Sequence, residues 1–92
     1  MASTRDLFRL DGQVALVTGA SRGLGAAMAV ALADAGAALA LHASVEPAAI
    51  TAERIAQTGG GRTELLTADL AETASAARLV AETVERFGRI DI

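Results

Sequence analysis

The sequence predicts an α/β fold in which a doubly wound parallel β-sheet carries helices on both faces. Short apolar runs alternate with longer stretches of helical composition, and glycines follow the helical stretches at Gly36, Gly59–Gly61 and Gly88. The predicted order is β-α-β-α-β-α-β, and the chain stops just after the fourth strand begins. Strands that alternate with helices favour a parallel sheet with right-handed crossovers.

Four short apolar runs predict the strands. The first is short and continuously apolar and has glycines at its bounds, which favours a strand buried on both faces. The runs are Val14–Thr18, Ala38–Ala43, Arg62–Ala68 and the start of a fourth at Ile90–Ile92.

Three stretches predict the helices. Leu24–Ala35 is rich in alanine and free of helix breakers, Pro47–Thr58 has its proline in the first turn, and Glu72–Phe87 is strongly amphipathic. The residues expected to face the sheet are, along the chain, Ala27, Ala31 and Ala35; Ala48, Ala52, Ile55 and Ala56; and Ala76, Leu79, Val80, Val84 and Phe87.

Composition excludes several classes of protein. The 92 residues are enough for one small domain, and 52% of them are hydrophobic, which argues against disorder. The net charge of −3 does not favour a nucleic-acid partner. The absence of cysteine excludes disulfides and thiolate metal sites, and we expect no metal. The apolar stretch Leu24–Leu41 contains Asp34 and Gly36, so we expect no membrane span.

The turn between the first strand and the first helix is the candidate binding site. Gly19, Gly23 and Gly25 give the spacing G-x-x-x-G-x-G. Glycine permits a sharp exit from the strand and lets backbone amides approach a phosphate, while the helix N-terminus favours negative charge. The alternative is a tight turn that binds nothing. Because the glycines follow a strand and open a helix, we expect a phosphate cradle.

Three segments resemble the short-chain dehydrogenase/reductase family, whose members have a Rossmann-type fold. "TGASRGLG", Thr18–Gly25, matches the family's glycine signature. "TADL", Thr67–Leu70, lies where the family has an aspartate at its adenine site, and "FGRIDI", Phe87–Ile92, resembles the approach to its fourth strand. The opening of the chain is similar to the branch of gluconate 5-dehydrogenase-like and 3-oxoacyl-[acyl-carrier-protein] reductase-like enzymes.

The resemblance implies a set of cofactor-binding residues. The glycines line the pyrophosphate turn, polar and apolar neighbours contact the phosphates, an aspartate accepts from the adenine amino group, and a leucine lies beside the ring. In this sequence they are Gly19, Ser21, Arg22, Gly23, Leu24, Gly25, Asp69 and Leu70.

Several of these residues have a competing interpretation. Asp69 and Glu72 have the D-x-x-E spacing of a capping box for the third helix, and a carboxylate has oxygens for both roles. Ser21 is a candidate cap for the first helix. The alternative for Arg22 is a solvated surface position.

The end of the second strand indicates which dinucleotide is preferred. An acidic residue there would bind the ribose 2′-hydroxyl of NAD and repel the 2′-phosphate of NADP. His42, Ala43 and Ser44 carry no acidic group. Arg22 resembles the basic residue of NADP-using relatives, and Ser44 is a candidate donor to the phosphate. We therefore expect NADP, with NAD as the alternative.

The chain also departs from the family. Its members are well over twice as long, and their catalytic Ser and Tyr-x-x-x-Lys lie beyond the region that matches. This chain contains no tyrosine, and all eight basic residues are arginine. We expect residues 1–92 to be the N-terminal half of a single Rossmann domain with no second domain and no catalytic residue. His42 has no partner that would make it a base, so we expect a structural or solvent-facing role.

The function predicted is the cofactor-binding part of an oxidoreductase that moves hydride between NADP(H) and a carbonyl or alcohol. A non-catalytic dinucleotide-binding module and, less favoured, a SAM-dependent methyltransferase are the alternatives; the latter expects an acid that "LHAS", Leu41–Ser44, lacks. The expected partners are the dinucleotide and, in the whole enzyme, a small substrate and further copies of the chain. No signal peptide is evident, and the expected location is the cytoplasm.

Overall fold

The computed structural model describes residues 9–44 and 48–92. Three strands and three helices alternate along these residues, which confirms the predicted α/β order up to the third helix. Pro47, predicted in the first turn of a helix, lies outside the described residues. The elements are β1 (Val14–Val17), α1 (Gly23–Asp34), β2 (Ala38–Ala43), α2 (Ala49–Gln57), β3 (Thr63–Thr67) and α3 (Thr73–Phe87).

The three strands form one parallel sheet with β2 in the centre. Val14 aligns with Ala38 across β1 and β2, and Leu39 aligns with Thr63 across β2 and β3. Because all strands run the same way, their carboxyl ends meet at one edge, where α/β sheets of this kind bind ligands.

Helices cover both faces of the sheet, as predicted for a doubly wound fold. On one face, a core cluster contains residues of α1, α2 and alternate positions of β1 and β2, among them Ala29, Ile55 and Leu39. On the other face, Leu79 of α3 packs with Ala40 and Leu66. The alternation along β2 places Leu39 and Leu41 on the first face and Ala40 on the second, as strand geometry requires.

The predicted core-facing residue sets of the helices are partly wrong. In α1 the buried residues are Ala26, Ala29 and Ala33, whereas Ala27 and Ala31 are exposed. Almost every position of α1 is apolar, so spacing alone cannot distinguish its inner side. Packing against the sheet therefore distinguishes Ala26, Ala29 and Ala33 from the other alanines of this helix.

In α2 and α3, polar residues occupy some of the buried positions that face the sheet. Thr51 is buried in α2 beside Ile55, while Ala56 is exposed. In α3, Leu79 is buried as predicted, but its buried neighbours one turn away are Ser75 and Thr83. The remaining predicted residues of α3 are exposed at Ala76, Val80 and Val84 and half-buried at Phe87.

The end of the chain pairs with β1 but forms no fourth strand within the described residues, so that prediction is only partly met. The N–H of Leu16 donates to the carbonyl of Ile92 at 3.0 Å, and the N–H of Asp91 donates to the carbonyl of Val14 at 2.8 Å. The outer edge of β1 therefore already has hydrogen-bond partners. Of the helices that the structure describes, none is both long and apolar enough to cross a membrane.

Candidate cofactor site

The predicted site residues all lie where the three strands end. Gly19–Gly25 follows β1, Ser44 follows β2, and Asp69 and Leu70 follow β3. Parallel pairing of Val17 with Leu41 and of Ala43 with Thr67 places these ends side by side. The structure thus brings three separate sequence segments to one edge of the sheet.

The turn after β1 has a backbone that only glycine adopts readily. Gly19 has φ +61° and Gly23 has φ +62°, in the left-handed region. Gly25 is required for a different reason, since a Cβ at this position would overlap the carbonyl oxygen of Gly19. The first turn of α1 therefore lies directly against the glycine-rich turn, so that its backbone N–H groups lie at the site.

The N-terminus of α1 has no side chain that satisfies its first amides. Its N-cap residue is Arg22, whose side chain makes no capping hydrogen bond, and the first turn contains no acidic residue. The alternative role of Ser21 as the N-cap is therefore wrong. An uncapped helix N-terminus carries partial positive charge and amide donors suited to an anion such as a pyrophosphate.

Hydrogen bonds from β2 and α2 hold the glycine-rich turn in place. The N–H of Ala20 donates to the carbonyl of His42 at 2.8 Å, and the Thr51 hydroxyl donates to the carbonyl of Ala20 at 2.7 Å. The N–H of Gly19 donates to Nδ1 of His42 at 3.2 Å. Sequence reasoning missed Thr51, which it treated as one residue of a helix with no site role. The signal that could have identified Thr51 is its position as a polar residue on the inner face of an amphipathic helix.

His42 is buried, and both of its ring nitrogens have backbone partners. Besides the contact with Gly19, Nε2 lies 2.8 Å from the carbonyl oxygen of Ala68. Neither partner is a carboxylate, so no group orients the imidazole for general-base catalysis. These contacts agree with the structural role, and the burial of His42 shows that the solvent-facing alternative is wrong.

The residue that follows β2 is exposed to solvent and uncharged. Ser44 is exposed, as is Arg22 in the turn after β1. Ala43, the last residue of β2, is buried, and the N–H of Ala68 donates to its carbonyl at 3.3 Å. Both groups expected to favour a 2′-phosphate are therefore on the accessible side of the same edge.

Asp69 forms a local turn rather than a capping box. Its Oδ1 accepts from the N–H of Ala71 at 3.0 Å. The N-cap of α3 is Glu72, which makes no capping bond with its side chain, so the capping-box interpretation is wrong. This Asx-type turn fixes the orientation of the carboxylate at the sheet edge. Leu70, which follows it, is 39% exposed.

The fold and the glycine turn define a doubly wound α/β protein, and comparisons with known proteins identify its family. The sequence pattern of the short chain dehydrogenase family matches residues 13–92. The chain belongs to that family. This membership removes the methyltransferase alternative.

Relatives share both sequence and fold with this chain. Versicolorin reductase 1 of Aspergillus parasiticus is 46% identical over 89 residues, which cover 95% of this chain and 34% of that protein. A 3-oxoacyl (acyl-carrier-protein) reductase of Agrobacterium tumefaciens, solved with NADP bound, is 40% identical over 97% of this chain and 34% of its own, with a TM-score of 0.84.

A hydroxysteroid dehydrogenase of Escherichia coli is 29% identical over 92% of this chain and 36% of its own, with a TM-score of 0.84. The chain therefore spans about a third of the length of these relatives.

Proposed function

We propose that this chain binds NADP at the carboxyl edge of its sheet and forms the cofactor-binding part, the N-terminal half of a Rossmann domain, of an oxidoreductase acting on a carbonyl or alcohol. The observation that carries the proposal is the glycine turn packed against the uncapped N-terminus of α1. Membership of the family and the NADP-bound relative support it.

The residues at this edge fit the parts of such a cofactor. The amides of Gly23, Leu24 and Gly25 would bind the pyrophosphate, with Ser21 at the entrance of the turn. Asp69 and Leu70 would contact the adenine, and Arg22 and Ser44 would bind the 2′-phosphate. When bound, the nicotinamide supplies the hydride chemistry, while the protein supplies binding and orientation.

We propose further that the 92-residue chain by itself transfers no hydride. A proton donor must lie within about 3 Å of the substrate oxygen, and tyrosine and lysine, the pair that the family uses, are absent from the sequence. His42 is buried against backbone groups on the adenosine side. For the whole enzyme, we propose a small carbonyl or alcohol substrate, assembly with further copies of the chain, and a cytoplasmic location.

Calorimetric titration with NADP tests the binding proposal. The key variant is Gly23→Ala, and the matched control is Gly59→Ala. Both glycines have positive φ, +62° and +78°, and both have open space where a Cβ would lie, so the backbone strain introduced is alike. Gly59 follows α2, whereas Gly23 opens α1 at the proposed site.

We expect the wild type and Gly59→Ala to bind NADP, and Gly23→Ala to bind it about tenfold more weakly or worse, a difference of about 1.4 kcal/mol. Equal loss in both variants, or no binding by the wild type, would overturn the proposal.

A reductase assay on an activated diketone, using the purified chain, tests the proposal that the chain by itself transfers no hydride. Turnover in that assay would show that the chain has an active site of its own.

A further inference from the structure

We propose that His42 is a positioning residue of the cofactor site, whose ring ties the phosphate turn to the loop that carries the adenine aspartate. The inference rests on the proposed function, because its consequence is read through dinucleotide binding. His42 is the most deeply buried titratable side chain near the site. It is not among the residues proposed above to bind the cofactor.

The two ring contacts define the protonation state that the site requires. The N–H of Gly19 can only donate, so Nδ1 of His42 must accept. The carbonyl of Ala68 can only accept, so Nε2 must carry the hydrogen. The ring is therefore the neutral Nε2–H tautomer, with both nitrogens occupied.

The position of the ring explains why this link matters. β1 and β3 do not pair directly, because β2 lies between them. The backbone of β2 binds each neighbouring loop separately, through the carbonyls of His42 and Ala43. Among the residues that the structure describes, the imidazole of His42 spans from Gly19 directly to Ala68, the residue before Asp69. It thereby sets the separation of the pyrophosphate turn and the adenine-side loop.

An apolar side chain of similar size at position 42 would fill the space of the imidazole but would make no hydrogen bond to Gly19 or Ala68. His42 is 1% exposed, so its removal would leave the N–H of Gly19 and the carbonyl of Ala68 without this partner. Buried backbone groups that lose a partner are costly. Both loops would then shift to recover hydrogen bonds, and the two halves of the site would no longer match one ligand.

Three variants separate the two contacts. His42→Asn retains an acceptor near the position of Nδ1 and loses the reach to Ala68, whereas His42→Gln retains a donor near the position of Nε2. His42→Leu fills the space with neither. Each is titrated with NADP, which contains the whole pyrophosphate, and with 2′,5′-ADP, which contains the adenosine end and only one of the two pyrophosphate phosphates. Thermal melts establish that each variant is folded.

We expect His42→Leu to bind NADP about tenfold more weakly or worse than the wild type. His42→Asn should recover most of the NADP affinity, because Gly19 keeps its acceptor. His42→Gln should retain affinity for 2′,5′-ADP while losing affinity for NADP. NADP affinity in folded His42→Leu within twofold of the wild type would overturn the inference, as would equal losses in all three variants for both ligands.

A measurement without ligand keeps this inference separate from the proposed function. Nitrogen-15 NMR of the ligand-free chain should show the Nε2–H tautomer, and the Gly19 amide should exchange faster in His42→Leu and His42→Gln than in His42→Asn. Failure of the wild type to bind NADP overturns the proposed function and the cofactor part of the inference. Normal NADP binding with an unprotected Gly19 amide overturns the inference alone.

Discussion

The backbone N–H of Val14 donates to Oδ2 of Asp91 at 2.8 Å, joining residues 77 positions apart. The other carboxylate oxygen, Oδ1, accepts from Nη2 of Arg89 at 2.6 Å. Together with the backbone bonds from Asp91 and Leu16, this contact attaches the end of the chain to the outer edge of β1. The Asp91 carboxylate therefore binds the backbone at the outer edge of β1.

This attachment should weaken in acid. The hydrogen bond from Arg89 lowers the pKa of Asp91 below its ordinary value of 3.8, and the bond from Val14 adds to the effect. A lowered pKa in the folded state means that the stabilisation is fully present above pH 3.8 and is lost as the pH falls through the folded-state pKa. Asp91→Asn should abolish this dependence and speed exchange of the Val14 amide at neutral pH.

Asp11→Asn is the matched control for Asp91. Asp11 also pairs with an arginine two residues before it, Arg9, which likewise lowers its pKa. Its bonds to Arg9 are local, and it does not bind the edge of β1. Its loss should leave exchange at Val14 unchanged, and comparable acceleration in both variants would contradict the role assigned to Asp91.

Gly25→Ala should disrupt the turn through steric overlap. The added methyl group would meet the carbonyl of Gly19, which is backbone and cannot rotate away. We expect a loss of about 1–3 kcal/mol in the free energy of unfolding, together with loss of NADP binding. Gly61→Ala, where a Cβ has only an ordinary contact, should be neutral or stabilise by about 0.4–1 kcal/mol. Chemical denaturation of both variants makes the comparison.

Arg22→Ala should reduce the preference for NADP over NAD. The arginine is exposed at the N-cap of α1, and no acidic residue ends β2 to favour the ribose hydroxyl of NAD. We expect the ratio of NADP to NAD affinity to fall about tenfold, as for loss of one charged hydrogen bond. Arg54→Ala removes the same charge from the last turn of α2 and should leave the ratio unchanged. A wild type that binds NAD as well as NADP would contradict this prediction.

The exposed apolar stripe of α3 should make the isolated chain self-associate. Val80 and Val84 lie one turn apart and are 47% and 43% exposed. Neighbouring exposed apolar side chains favour association with a second copy. Val84→Arg should lower the association constant measured by sedimentation equilibrium. Gln57→Arg adds the same charge on an exposed site of α2 and should have little effect; a wild type that stays monomeric at high concentration would refute the prediction.

The sequence by itself determined the order of elements and predicted that the candidate site residues lie at one edge of the sheet. The bounds predicted for β2, Ala38–Ala43, match the structure, and each other bound that can be compared matches or differs by one residue. Apolar runs, helix composition and glycine position depend on local backbone preferences, which sequence expresses directly. Because parallel strands share one carboxyl edge, the same pattern located the turn Gly19–Gly25 and Asp69 together.

Only the tertiary structure decided which side of each helix is buried and what supports the turn. The alanines of α1 look alike in sequence, and packing alone distinguishes Ala29 from Ala31. The contacts of His42 with Gly19 and Ala68, and of Asp91 with Val14, join residues 23, 26 and 77 positions apart. Such contacts depend on strand register and on how helices pack, and these properties arise only when the whole sheet assembles.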